Sequence, residues 1–287
     1  MNVKQVARIR YGQDGAIWGK ELFRFDHKGR GSVYDLSEAE EGTLDVIEPK
    51  AEFLLDRSNE IAPHSNAVFF GREFYEDGDE YPLLYSNIYN NFAKKEDKLI
   101  GVCLVYRLLR ERDFYRTELL QMIEVGFTED AELWKASPEE HGVRPYGNFL
   151  IDRETGDYYA FVMRNETLGT RYFRFKAPAV RDGVSDGWLG VKKVILTKDD
   201  IIDYFDCPHH NYIQGAAAHG GKIYSAEGFS NGTARPAIRI IDLKKRAQEA
   251  LADLFGMGYK KEPEMIDFCD DVCYYSDVDG NLYIAEF

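Results

Sequence analysis

Glu262 and Glu264, separated by one residue, are the pair in this sequence best placed for acid–base work. On an extended strand residues i and i+2 share a face, and at about 3.3 Å per residue their attachment points lie roughly 6.6 Å apart. That falls within the roughly 6.5–9.5 Å dividing the two carboxyls of an inverting glycosidase. The match is superficial, because such carboxyls reach a sugar from opposite sides and two on one strand reach it from the same side. A second acid would have to come from elsewhere, and the segments most like this one carry other polar groups: His64 and Asn66, Tyr146 and Asn148, Tyr212 and Gln214. Amides both donate and accept, rings stack, and a carboxylate accepting from a hydroxyl makes a charge-assisted bond. The set therefore suits recognition of a hydroxyl-rich ligand better than hydrolysis. His209, His210 and Trp18 are expected as its neighbours.

Other chemistries find little support. Asp277-Val278-Asp279-Gly280-Asn281 has the look of a calcium loop, but the first ligand position would be Tyr275, so it reads as a hairpin turn. The adjacent rings of His209 and His210 point to opposite faces of an extended chain and do not share a metal. No metalloprotease, phosphate-loop, dinucleotide or nucleophile-elbow motif occurs, and no metal or cofactor is expected. Cys103, Cys207, Cys269 and Cys273 read as buried thiols, although Cys269 and Cys273 flank a short turn and could be bridged across a hairpin. Asn165 and Asn231 each begin a glycosylation triplet. A net charge of −14 from 36 basic and 50 acidic residues, with no basic stripe, argues against nucleic acid and against anionic membrane surfaces. No apolar run is long enough to span a bilayer and the chain as given shows no secretory leader, so a cytoplasmic location is favoured.

Four segments place a polar residue before a short apolar run, a turn and an aromatic second strand. They begin at His64, Tyr146, Tyr212 and Glu262, and a weaker fifth copy runs through Glu21. Their key positions, Glu21, Asn66, Asn148, Gln214 and Glu264, are 45, 82, 66 and 50 residues apart. Turns such as His27-Lys28-Gly29, Glu154-Thr155-Gly156, His219-Gly220-Gly221 and Asp279-Gly280-Asn281 carry hairpin chemistry. A period of about 40–50 residues with four strands each predicts an all-β, five-bladed β-propeller with antiparallel four-stranded blades. The expected single domain spans 1–287, with blades near 13–57, 58–128, 129–206, 207–258 and 259–287 plus 1–12. The last repeat lacks a strand, and residues 4–12 are expected to supply it as the outermost one, closing the ring. TRYFRFKAP and VKKVILT are read as later strands of the third blade. Helices are expected at Thr128–Trp134, at Thr197–Tyr204 behind a Thr197/Asp200 capping box, and at Ala247–Phe255. Phe69, Phe149, Tyr159 and Tyr283 are assigned to the sheet interfaces.

The order QGAAAHGGKIY from Gln214, AIRIIDLKK from Ala237 and EPEMIDF from Glu262 resembles bacterial propellers of the teichoic-acid biosynthesis protein C and helveticin-J type, with Met265 where that family has glycine. The resemblance implies that Gln214, Glu262 and Glu264 line the channel and that the ligand is a glycan or wall polymer. In such a ring the inner strands begin together at one mouth, so His64, Asn66, Tyr146, Asn148, His210, Tyr212, Gln214, Glu262 and Glu264 are the expected ligand-binding set. The expected function is binding of a carbohydrate or small polar metabolite there. The alternatives are a glycoside hydrolase or lyase using Glu262 and Glu264, and a protein-interaction scaffold.

Overall fold

Segments such as Glu21–Phe25 (ELFRF) and Lys222–Glu227 (KIYSAE) carry apolar groups on both faces. A sheet built from such strands must be covered on both sides. The computed structural model describes residues 1–40, 46–61, 63–65, 67–88, 101–125, 149–164, 166–209, 212–230 and 234–287. In it the strands form five sheets set radially as the blades of a β-propeller. β1 (Asn2–Arg8) opens the chain. The first blade runs outward from β2 (Gly15–Trp18) through β3 (Glu21–Phe25) and β4 (Arg30–Asp35) to β5 (Ala51–Leu54). The second comprises β6 (Ala67–Phe70), β7 (Leu84–Asn87), β8 (Val102–Glu111) and β9 (Phe114–Val125). The third begins with β10 (Leu150–Ile151), β11 (Asp157–Met163) and β12 (Thr170–Lys176).

The chain then leaves the third blade. β13 (Val184–Ser185) and β14 (Lys192–Leu196) join the second blade instead, β14 running parallel to β9 with Lys192 opposite Gln121 and Leu196 opposite Val125. The expectation that VKKVILT belongs to the third blade is therefore wrong. That blade is completed by β15 (Asp203–Cys207), where a helix was expected. The Thr197/Asp200 capping box does form, but it encloses a single 3-10 turn, Lys198–Asp200. The fourth blade holds β16 (Ile213–His219), β17 (Lys222–Glu227), β18 (Ala237–Asp242) and β19 (Ala247–Ala252). β19 replaces the helix expected at Ala247–Phe255, because its ladder to β18 supplies the backbone bonds a helix would have made internally. The third expected helix, Thr128–Trp134, lies outside the described residues, as do Asn165 and Asn231.

β20 (Pro263–Cys269), β21 (Val272–Asp277) and β22 (Asn281–Glu286) make the fifth blade, and β1 is its outermost strand, Asn2 opposite Glu286. The ring is closed by a strand from the other terminus, as the missing fourth strand predicts. β2, β6, β10, β16 and β20 surround the axis, each touching the inner strands of its two neighbours. Apolar clusters fill the blade interfaces. Phe23 and Phe25 of β3 pack toward the second blade with Val68 and Phe70, while Leu22 faces the fifth with Met265 and Tyr274. Phe69, Phe149 and Tyr159 share one buried cluster and Tyr283 sits in another. All four cysteines are buried and free. Cys273 pairs with Phe268 while Cys269 pairs with Val272, so the two thiols lie on opposite faces of the hairpin and no bridge forms. No described helix is long and apolar enough to cross a membrane.

Candidate functional site

The inner hairpins of the fourth and fifth blades are irregular at equivalent places. Ile213 pairs with Glu227 and Gly215 with Ala226, leaving Gln214 as an extra residue. Pro263 pairs with Asp277 and Met265 with Ser276, leaving Glu264 as the counterpart. A bulge of this kind re-aims the side chain it carries. Gln214 Nε2 donates to Glu262 Oε1, joining the two blades at the mouth of the channel, and Glu264 is buried just inside. In the first blade the corresponding place, immediately before Gly15, belongs to Asp14.

Asp14 spans the ring. Its Oδ2 accepts the Val68 amide of the second blade at 2.7 Å. A Cβ on Gly215 of the fourth blade would stand 3.2 Å from Asp14 Oδ1 and 2.9 Å from the Glu264 carbonyl oxygen. The bare backbone at Gly215 is what lets a carboxyl from one blade approach two others. Asp14 Oδ1 has no hydrogen-bond partner among the described residues. Arg24, on β3 opposite Gly15, is 2% exposed. Its Nη2 donates to the Gly12 carbonyl at 2.7 Å, while Nε and Nη1 have no hydrogen-bond partner among the described residues.

Burial dominates the electrostatics, and it disfavours the charged form of each carboxyl. It pushes Glu262 up to about 7 against the opposing hydrogen bond from Gln214. It pushes Glu264 up to about 8, with Arg24 working against the rise and Glu262 and Asp277 adding to it. Asp14 is raised well above the usual carboxylate range by the same cause, and Arg24 is lowered by its own burial. The mouth therefore holds carboxyl groups whose ionisation burial disfavours, beside one guanidinium. At the other end of the inner strands Arg153, from the β10–β11 turn, donates to the Phe70 carbonyl at 3.1 Å and to Asp267 Oδ2 at 3.0 Å. Asp267 Oδ2 also accepts the Ile17 amide at 2.7 Å, so four blades are pinned there.

Of the residues expected at the mouth, Gln214, Glu262 and Glu264 come together. Tyr212 immediately precedes β16 in a left-handed conformation, φ 57°, with the centre of its exposed ring 4.2 Å from that of Phe229. His64, φ 54°, takes its place beside the first blade, donating its amide to the His27 carbonyl, with the two rings 6.4 Å apart. His209 lies against the buried Arg239–Glu227 ion pair, its carbonyl accepting from Arg239 Nη2. Trp18 is not a neighbour of the mouth: it ends β2 at the opposite side of the ring from Asp14, beside Phe70 and Phe74. Glu21 is likewise displaced, since it starts the second strand of its blade and accepts from Tyr81 and Tyr115. Asn66, Tyr146, Asn148 and His210 lie outside the described residues. Asp277 accepts the amides of Asp279 and Asn281 at 3.0 Å, the hairpin-turn role expected of that segment. Among the described residues no cluster of three or more His, Cys, Asp or Glu is arranged to hold a metal ion.

Asp14 and Arg24 escaped the sequence reading. A signal existed: Asp14-Gly15-Ala16 matches Gln214-Gly215-Ala216 as a polar residue followed by Gly-Ala. With Glu21 as the key polar position of the first repeat, that match is displaced onto β3 and hidden.

Fold and site together define a five-bladed propeller with a buried, carboxyl-lined mouth at the start of its inner strands. No protein-family model and no curated protein matches the sequence. Among solved structures, the chain is similar to a glutaminyl cyclase of Myxococcus xanthus, with 9% identity, a TM-score of 0.49, and coverage of 100% of this chain and 96% of that one. It is also similar to XC5397 of Xanthomonas campestris, described as a gluconolactonase, with 11% identity, a TM-score of 0.47, and coverage of 99% and 88%. BamB of Moraxella catarrhalis aligns with 9% identity and a TM-score of 0.35 over 97% of this chain and 60% of that one. Likenesses at this level carry no inference about activity.

Proposed function

We propose that the channel mouth binds a small, uncharged, hydroxyl-rich ligand, a carbohydrate or comparable polar metabolite. The observation that carries this reading is the placement of Gln214 and Glu264 on equivalent bulges of adjacent blades, with Glu262 accepting a hydrogen bond from Gln214. A carboxyl that keeps its proton both donates and accepts, as does the Gln214 amide, and a hydroxyl offers the same duality in return. The exposed Tyr212 ring supplies a stacking surface at the rim, and Asn66, Tyr146, Asn148 and His210 belong to the same proposed set with His64.

Binding is favoured over hydrolysis by geometry. Glu262 and Glu264 both come from the start of β20, whereas the two carboxyls of a glycosidase flank the sugar from opposite sides. The resemblance of the Gln214–Phe268 region to the teichoic-acid protein C type points to a glycan as the ligand class.

The test is calorimetric titration of a panel of neutral mono- and disaccharides against the wild type and Gln214→Ala. Loss of the amide is expected to weaken the best sugar by about ten- to a hundredfold, the effect of removing a partner worth about 1–3 kcal/mol. A variant that melts earlier than the wild type but binds sugar unchanged would assign these residues to blade packing instead.

A further inference from the structure

Away from the channel, the boundary between the second and third blades opens into a cleft of about 510 Å³. That lies within the roughly 300–1,000 Å³ of small-molecule sites. Tyr85, Ile151, Ala177 and Ile202 give it apolar surface, and Thr155 and Gly156 of the β10–β11 turn form part of its wall. Arg72 and Lys176 bring positive charge, and Glu73 and Asp157 negative charge. Asp157 is matched by Arg174 at 3.1 Å, and Arg72 Nη1 donates to the Glu154 carbonyl at 3.2 Å. That last bond anchors one nitrogen of the Arg72 guanidinium at the cleft wall.

An adjoining compartment of about 380 Å³ shares Glu73, Lys176 and Ala177 and runs on to Asp182 and Asp200. Those two carboxylates are oriented by turn amides, Asp182 accepting from Ala179 at 3.2 Å and Asp200 from Thr197 at 2.7 Å. Charge is thus graded along the cleft: Arg72 at one end, Lys176 and Glu73 where the compartments meet, and two aspartates at the other end. A simple anion would meet the aspartates and Glu73, and a simple cation would meet Arg72 and Lys176. A molecule with a carboxylate and an ammonium held apart by an apolar body can meet Arg72 and Lys176 with one end and Asp182 and Asp200 with the other.

We propose that this cleft is a second ligand site, taking a zwitterion of the dipeptide class with apolar side chains. Arg72 grips the carboxylate through its planar fork, assisted by Lys176. Ile151, Ala177 and Ile202 cover the side chains, and Asp182 and Asp200 receive the ammonium. None of these residues takes part in the Asp14–Gln214–Glu264 mouth, so the two sites stand or fall separately.

The experiment is calorimetric titration of the whole chain with the dipeptide Ala-Leu, its C-terminal amide and its N-acetyl form. Saturable binding of Ala-Leu is expected, each cap weakening it about tenfold. Arg72→Ala should weaken Ala-Leu about tenfold while leaving the amide unaffected, because the carboxylate contact is already missing there. Lys176→Met should act in the same direction, and Gln214→Ala at the mouth should change nothing. The proposal is overturned if Ala-Leu shows no saturable binding to the wild type at millimolar concentration, if the capped forms bind equally well, if Arg72→Ala weakens acid and amide alike, or if Gln214→Ala abolishes the binding.

Discussion

Glu264→Gln keeps the size and hydrogen-bonding capacity of the buried side chain and removes its titration. In the unfolded chain the carboxyl ionises near 4.5, whereas burial in the fold raises it to about 8. Between those values the unfolded chain has released the proton and the folded chain still holds it, so stability falls as pH rises and levels off above about pH 8. At about 1.4 kcal/mol per pH step, the interval amounts to on the order of 5 kcal/mol. Asp14 and Glu262 are raised by the same cause, but they remain in both proteins and largely cancel in the comparison. Urea unfolding of wild type and variant at pH 5 and pH 8.5 reads the effect directly. The two proteins should be similar at pH 5, and the variant should be the more stable by several kcal/mol at pH 8.5. Parallel pH dependence in the two proteins would refute the reasoning, since it would mean that Glu264 is ionised in the folded ring.

Gly215→Ala places a Cβ 2.9 Å from the Glu264 carbonyl oxygen and 3.2 Å from Asp14 Oδ1, and should cost about 1–3 kcal/mol in a thermal melt through forced displacement of the axis. Arg153→Ala releases the Phe70 carbonyl and Asp267 together, with an expected loss of about 1–3 kcal/mol and no change in sugar binding at the opposite mouth. Removing residues 1–8 strips β1 from β22 and bares a full strand edge, so light scattering should show aggregation below the wild-type melting temperature.

The radial architecture was legible because it depends on periodicity: five polar-apolar-turn units, apolar on both strand faces, and a last unit one strand short. The misreadings share a physical cause, which is that tertiary pairing overrode local preference. AQEALADLF has helical composition, yet Ala247–Ala252 lies flat because β18 offers an unsatisfied edge. Thr197 and Asp200 make the cap they advertise, but β12 captures the chain at Asp203 before a helix can grow. At the mouth, Gln214, Glu262 and Glu264 were visible as aligned polar positions. Asp14 is masked because Glu21, in the weakest repeat, offers a competing polar position seven residues later. Arg24 gave no signal at all, because a charged residue within an apolar strand is distinguished from a surface one only by what packs over it.

The parallel seating of β14 on β9 means that the second blade is finished by chain that has already passed through the third. Each repeat is therefore not a cassette that can be lifted out of the ring. A graft that exchanged the third blade for another would carry away the outer rim of its neighbour, so the smallest transplantable piece on that side of the molecule runs from β6 to β15. The same stitch gives the two blades a common fate under force or heat. Amide protons of β9 should exchange together with those of β12 rather than with the rest of the ring, which makes hydrogen exchange a map of where this propeller has fused two of its repeats into one unit.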